Sequence, residues 1–227
     1  MTLLPRLAIG FTVFLAAPAL HAEGLGLGET ALSARAVGPE VARSSFLKDG
    51  DGCPGEAAAC RRSAYLVPGD VVVLGETAGA YGCVSFIGEG GRASTGWMAL
   101  SALRPVPEVP ADWAGQWQSG PEQSIAITQE GGKLRLRGDA TWGASDPARV
   151  RRGGVNIGEF TARAAPEGNR LAFTAGEETL PYEGGDDYDC RLRMERLGPY
   201  LAVRDTGNCG GHNVSFTGLY RRKPGRG

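Results

Sequence analysis

The sequence has no nucleotide-binding glycine loop, no zinc-protease helix motif and no serine-nucleophile elbow. The commonest local signatures of phosphoryl transfer, metalloproteolysis and acyl transfer are therefore missing. Charge of one sign is also missing. The 24 Lys and Arg residues nearly balance the 25 Asp and Glu, for a formal net charge of -1, so nothing at chain level favours a nucleic-acid partner. The 36 glycines follow no three-residue period, which excludes a collagen-like rod. The hydrophobic share of 42% is enough to build a core, and that excludes wholesale disorder.

One apolar run does occur, at the start. Leu7 to Leu20 carry no charge and follow Arg6. The run is shorter than the roughly 20 residues of a membrane span. Small residues around Ala19-Leu20-His21-Ala22 suit cleavage before Glu23, with Ala17-Pro18-Ala19 as a second candidate, so residues 1–22 read as an export signal. No later stretch is long and apolar enough to cross a bilayer, so no membrane span is expected in the mature chain, which is placed in the periplasm or outside the cell.

That compartment governs the five cysteines, where disulfides become the default. Cys190 with Cys209 is the evident pair in the second half, and Cys53 with Cys60 would close a small loop. Cys83 is then left as a buried thiol beside Val84 and Phe86, although its pairing with Cys53 or Cys60 stays open. The spacings do not fit a zinc ribbon or knuckle, and neither a metal nor a cofactor is expected.

Residues 23–47, rich in Gly, Ala and Ser without a clean period, read as a poorly ordered lead-in, with a short helix conceivable over Glu40 to Ser44. From 48 to 103 the pattern is short strands and turns: Ala64–Val67, the Pro68-Gly69-Asp70 turn, Val71–Leu74, Tyr81–Ile87 and Ser94–Met98, then a one-turn helix over Leu100–Leu103. Three prolines within 104–112 mark a linker and the domain boundary. Residues 113–223 are again β-rich. Lys133-Leu134-Arg135-Leu136-Arg137 alternates with period two, and about eight successive strands predict an up-and-down antiparallel barrel. Residues 224–227 form a tail. The fold class is therefore all-β, with two small barrels.

The run Tyr65–Leu74, then Tyr81-Gly82-Cys83-Val84, then Thr95-Gly96-Trp97-Met98 with Leu103 resembles a bacterial SH3-like domain. In the second half, Gly115-Gln116-Trp117 on a first strand and Tyr220-Arg221-Arg222 on a last one resemble the lipocalin-like (calycin) pattern. That resemblance implies that Trp117 packs under Arg221 to close the barrel floor. Thr217-Gly218-Leu219-Tyr220 is similar to a signature of small exported lysozyme inhibitors, with Thr217 where serine is usual. The two-part layout also resembles a family of exported bacterial proteins.

Candidate site residues follow from these readings. On the first domain, Tyr65, Tyr81 and Trp97 would bind peptide or glycan faces if exposed, or fill the core if buried. Asp186 and Asp187 sit in an acidic segment, Glu183 to Asp189, that does not match an EF-hand and reads as a solvated loop between strands, with calcium or a cationic partner as its functional alternatives. His212 follows Cys209 closely, but a disulfide at Cys209 would consume any nucleophilic thiol there; a pH-dependent contact is the remaining use. Arg149, Arg151 and Arg152 read as a charged loop tip. No set of these residues forms a catalytic constellation, so the protein is expected not to be an enzyme. The expected function is non-catalytic binding in the envelope, with peptidoglycan or an envelope protein as partner. The alternatives are inhibition of a lysozyme-like hydrolase through Thr217 and carriage of a small apolar ligand in the second barrel.

Overall fold

The computed structural model describes residues 31–88, 91–107 and 110–224. The export signal at 1–22, the first part of the lead-in and the last three residues of the tail lie outside the described residues. Nearly everything described is strand or turn, in two antiparallel sheets.

The first sheet has seven strands: β1 (Ser33–Val37), β2 (Ser44–Leu47), β3 (Arg61–Leu66), β4 (Val71–Ala78), β5 (Tyr81–Ile87), β6 (Ala93–Ala99) and β7 (Leu103–Pro105). Their order is β3-β2-β6-β5-β4-β1-β7. Alternation along each strand sends Phe46, Leu66, Val72, Leu74, Val84 and Met98 to one core. Three expectations are corrected here. The lead-in is not loose where it is described: β1 pairs with β4 and β7, and β2 with β3 and β6. The span Glu40 to Ser44 holds a turn and the start of β2 rather than a helix. Nor does the proline segment begin as a free linker, because Leu103–Pro105 pairs with β1. Pro105 is tolerated there because β7 is an edge strand, where a missing N–H costs no ladder bond.

The second sheet has eight strands: β8 (Gly115–Ser119), β9 (Gln123–Glu130), β10 (Lys133–Trp142), β11 (Asn156–Ala164), β12 (Arg170–Thr174), β13 (Arg191–Leu197), β14 (Tyr200–Asp205) and β15 (Gly218–Arg222). The order β11-β10-β9-β8-β15-β14-β13-β12 is a nearly closed barrel. Its first and last strands pair, Trp117 opposite Arg222 and Gln118 opposite Arg221. The unpaired seam lies instead between the mid-chain strands β11 and β12. The eight expected strands are all present, except that Val214–Phe216 precede β15 rather than belonging to it. A short helix, α1 (Pro147–Arg151), replaces the expected charged loop tip. The Asp146 carboxylate caps it by accepting from the Ala148 N–H at 2.8 Å, and Pro147 fills the position where no N–H is needed.

Side chains fill the barrel interior. The Phe160 ring meets Phe216 edge-on at 4.8 Å and Phe173 at 5.9 Å, among Ile125, Leu136, Leu192 and Val203. Gly138, opposite Phe160 in the β10–β11 ladder, leaves room for that ring; a Cβ there would overlap it. Each large side chain so buried contributes about 1.5–3 kcal/mol.

The two sheets share an apolar interface. Tyr200, Ala202 and Leu219 point outward from β14 and β15 and pack against Val73 and Ile87, flanked by Ala34 and Val71. The Tyr200 hydroxyl donates to the Val71 carbonyl at 2.7 Å and accepts from the Ile87 N–H at 3.4 Å. Arg221 donates to the Ile87 carbonyl. The strands after the proline segment thus fold back onto the first sheet. Among the described residues, no helix is long and apolar enough to cross a membrane.

Candidate functional site

Both expected disulfides are present, Cys53–Cys60 and Cys190–Cys209. Cys83 is the free thiol and is buried, which closes the alternative pairings. Burial pushes its pKa up to about 11, helped by the charges of Glu76 and Asp49.

The structure separates the three aromatics of the first sheet. Tyr65 stands on edge strand β3 and is 50% exposed, with the Arg43 guanidinium 5.3 Å from its ring centroid. Arg61, Arg62, Ser63 and Val67 of the same stretch are exposed as well. Trp97, by contrast, has no exposure at all and packs with Leu47 and Cys83. It is withdrawn as a binding residue, because its face of β6 is covered rather than open. Tyr81 packs half-buried against the same cluster.

The Cys190–Cys209 bridge brings the acidic loop and the His212 loop to one end of the barrel. The Asn208 side-chain amide donates to the Asp187 carbonyl at 2.8 Å. The Asp186 N–H is taken by the Asp189 carboxylate at 2.7 Å, and the Asp187 carboxylate lies 3.7 Å from Arg191. His212 is exposed, and its carbonyl accepts from the Asn156 amide at 2.6 Å. Its loop presses on Gly158, where a Cβ would collide with the Cys209 carbonyl. With Cys209 oxidised, no thiol is left beside His212.

Thr217 serves the fold. Its hydroxyl donates to the Asp205 carboxylate at 2.9 Å, which also takes the Ser215 hydroxyl at 2.9 Å and the Phe216 N–H at 2.6 Å. Leu219 lies in the inter-sheet interface, and Tyr220 is fully buried with its hydroxyl on the Phe216 carbonyl at 2.8 Å. In the segment that resembles an inhibitor signature, Thr217 is exposed but bonded to Asp205, and Leu219 and Tyr220 are buried in the interface and the barrel core.

The barrel floor is closed over Trp117 by arginines other than the expected Arg221. Over the buried Trp117 ring lie Arg196 at 4.3 Å and Arg222 at 5.0 Å. Arg221 is corrected by one residue: it stands opposite Gln118, so alternation turns it outward to the first sheet. Arg222 pairs with the Asp112 carboxylate at 2.7 Å, and that bond holds the carboxyl below its usual range. Burial, with the neighbouring Arg222 charge, draws the Arg196 pKa down to about 10.

Sequence reasoning missed one feature. A groove of about 1010 Å³ runs between the sheets, lined by Ile87, Gly88, Gly91 and Arg92 of the first and by Gln118, Gly120, Pro121, Arg221, Arg222, Lys223 and Pro224 of the second. Among the described residues its lining holds four cations and no carboxylate. The local signal was the Arg221-Arg222-Lys223 run: all three line the groove, while Arg222 also covers the floor and Arg221 also reaches the first sheet.

No family model matches the chain, and neither curated proteins nor solved structures give a significant match.

Proposed function

We propose that this is an exported, non-catalytic protein of the bacterial cell envelope that binds peptidoglycan through its first, SH3-like half. The observation that carries the reading is Tyr65, half-exposed on edge strand β3 with the Arg43 guanidinium over its ring. An exposed aromatic ring offers a face for sugar stacking, and a neighbouring guanidinium offers donors to a stem-peptide carboxylate. The cation–π contact at such an exposed site is worth only about 0.5–1 kcal/mol, so a ligand can displace Arg43 at little cost. The two disulfides suit the oxidising envelope that this reading requires.

Co-sedimentation of the chain from Glu23 onward with purified sacculi tests it. Saturable binding is expected, weakened at least about tenfold in Tyr65→Ala and partly restored in Tyr65→Trp, in line with a stacking contribution of about 1–3 kcal/mol measured for other ring systems. Equal binding by Tyr65→Ala would overturn the assignment of the site, and absence of binding by the unaltered protein would overturn the function.

A further inference from the structure

The groove between the sheets has the makings of a second binding site, independent of Tyr65. Its cations come from segments far apart in the chain: Arg92 follows β5, whereas Arg221 and Arg222 end β15 and Lys223 follows them. Among the described residues Arg222 alone of these cations has an ionic partner, Asp112. Arg221 bonds a carbonyl, and neither it nor Arg92 nor Lys223 forms an ion pair with a described residue. Three positive charges without a described ionic partner thus line one concave space. A cleft bounded by protein focuses such a field more strongly than a flat surface does.

The volume narrows the ligand. About 1010 Å³ is at the upper limit of ordinary small-molecule sites, far more than a single phosphate or carboxylate fills. Glycine and proline contribute five of the eleven lining positions, so backbone is open to a ligand. The lining is concave, which suits a soluble chain better than a flat bilayer surface. We infer that the groove between the two sheets binds a flexible soluble chain carrying repeated oxyanions, phosphate or carboxylate, gripped by Arg92 from one sheet and by Arg221 and Lys223 from the other.

Calorimetric titration with a galacturonate hexamer and with tetrapolyphosphate tests this and separates the two oxyanion sources. At least one chain is expected to bind, with affinity falling about tenfold or more between about 50 mM and 200 mM salt, as release of several counterions demands. Arg92→Ser with Lys223→Ser is expected to cost at least about tenfold in affinity without shifting the thermal midpoint, since both side chains are exposed and neither pairs with a described residue. Tyr65→Ala is expected to bind both chains normally, which keeps this site distinct from the one proposed for peptidoglycan. Two results would each overturn the inference: neither chain binds, whether or not anionic phosphatidylglycerol vesicles do, or the double variant binds as tightly as the unaltered protein.

Discussion

Tyr200 is where the two sheets are joined, and its removal gives a worked prediction. The ring is 1% exposed in the interface, and the hydroxyl is held between the Val71 carbonyl and the Ile87 N–H. Tyr200→Phe keeps the ring but leaves both backbone groups short of a partner, at a cost of about 1–3 kcal/mol. Tyr200→Ala also removes the ring and leaves a cavity, and aromatic truncations of this kind cost about 3–5 kcal/mol. The second loss falls mainly on the coupling between the sheets, because the barrel's own core lies on the other face of β14. Urea unfolding followed by far-UV circular dichroism and by tryptophan fluorescence reads both effects. The unaltered protein is expected to unfold in one transition with coincident probes. Tyr200→Phe should do the same at a lower midpoint, and Tyr200→Ala should separate the probes as the two halves melt independently. A single coincident transition at an unchanged midpoint in Tyr200→Ala would refute the claim that this interface couples them.

Two further outcomes follow from the buried groups. Cys83, with its thiol pushed up to about 11 by burial, is expected to resist iodoacetamide at neutral pH in the native protein and to label once per chain after unfolding in urea; rapid stoichiometric labelling of native protein would contradict its placement. Burial also raises the pKa of Tyr200 and of Tyr220 above the unfolded value of about 10. The unfolded chain therefore loses these protons first. The stability they contribute is intact below about pH 10 and is lost as pH rises from there through each raised folded value, at no more than about 1.4 kcal/mol per pH unit for a group. Denaturation midpoints measured across that range should fall less steeply in Tyr220→Phe, and an identical slope would count against a neutral buried Tyr220.

What could be read in advance was local and periodic. The alternation of Lys133 to Arg137 depends on neighbours two residues apart and survives as the exposed and buried positions of β10. The disulfides followed from compartment and spacing. What was missed depended on pairing across the chain. β1, Ser-Ala-Arg-Ala-Val, has a single β-branched residue and forms because β4 and β7 lie on either side of it. Trp97 sits on a face that only the tertiary structure covers. The one-residue error at Arg221 came from the register between β8 and β15, strands about a hundred residues apart, where a shift of one exchanges inside for outside. Helix α1 did have a local signal, the Asp146-Pro147 cap, that was passed over as part of a charged loop.

Because the barrel seam falls between β11 and β12, closure rests on the strand made last. β15 pairs with β8, brings Leu219 and Arg221 to the first sheet and places Arg222 over the floor. A chain growing from its N-terminus can assemble the meanders on either side of the seam but cannot complete the barrel, its floor or the junction until β15 emerges. Closure therefore waits on pairing between strands about a hundred residues apart, a kind of contact that forms more slowly than local pairing. Until that strand arrives, the exposed edges of β8 and β14 are the surfaces a holding chaperone has to cover.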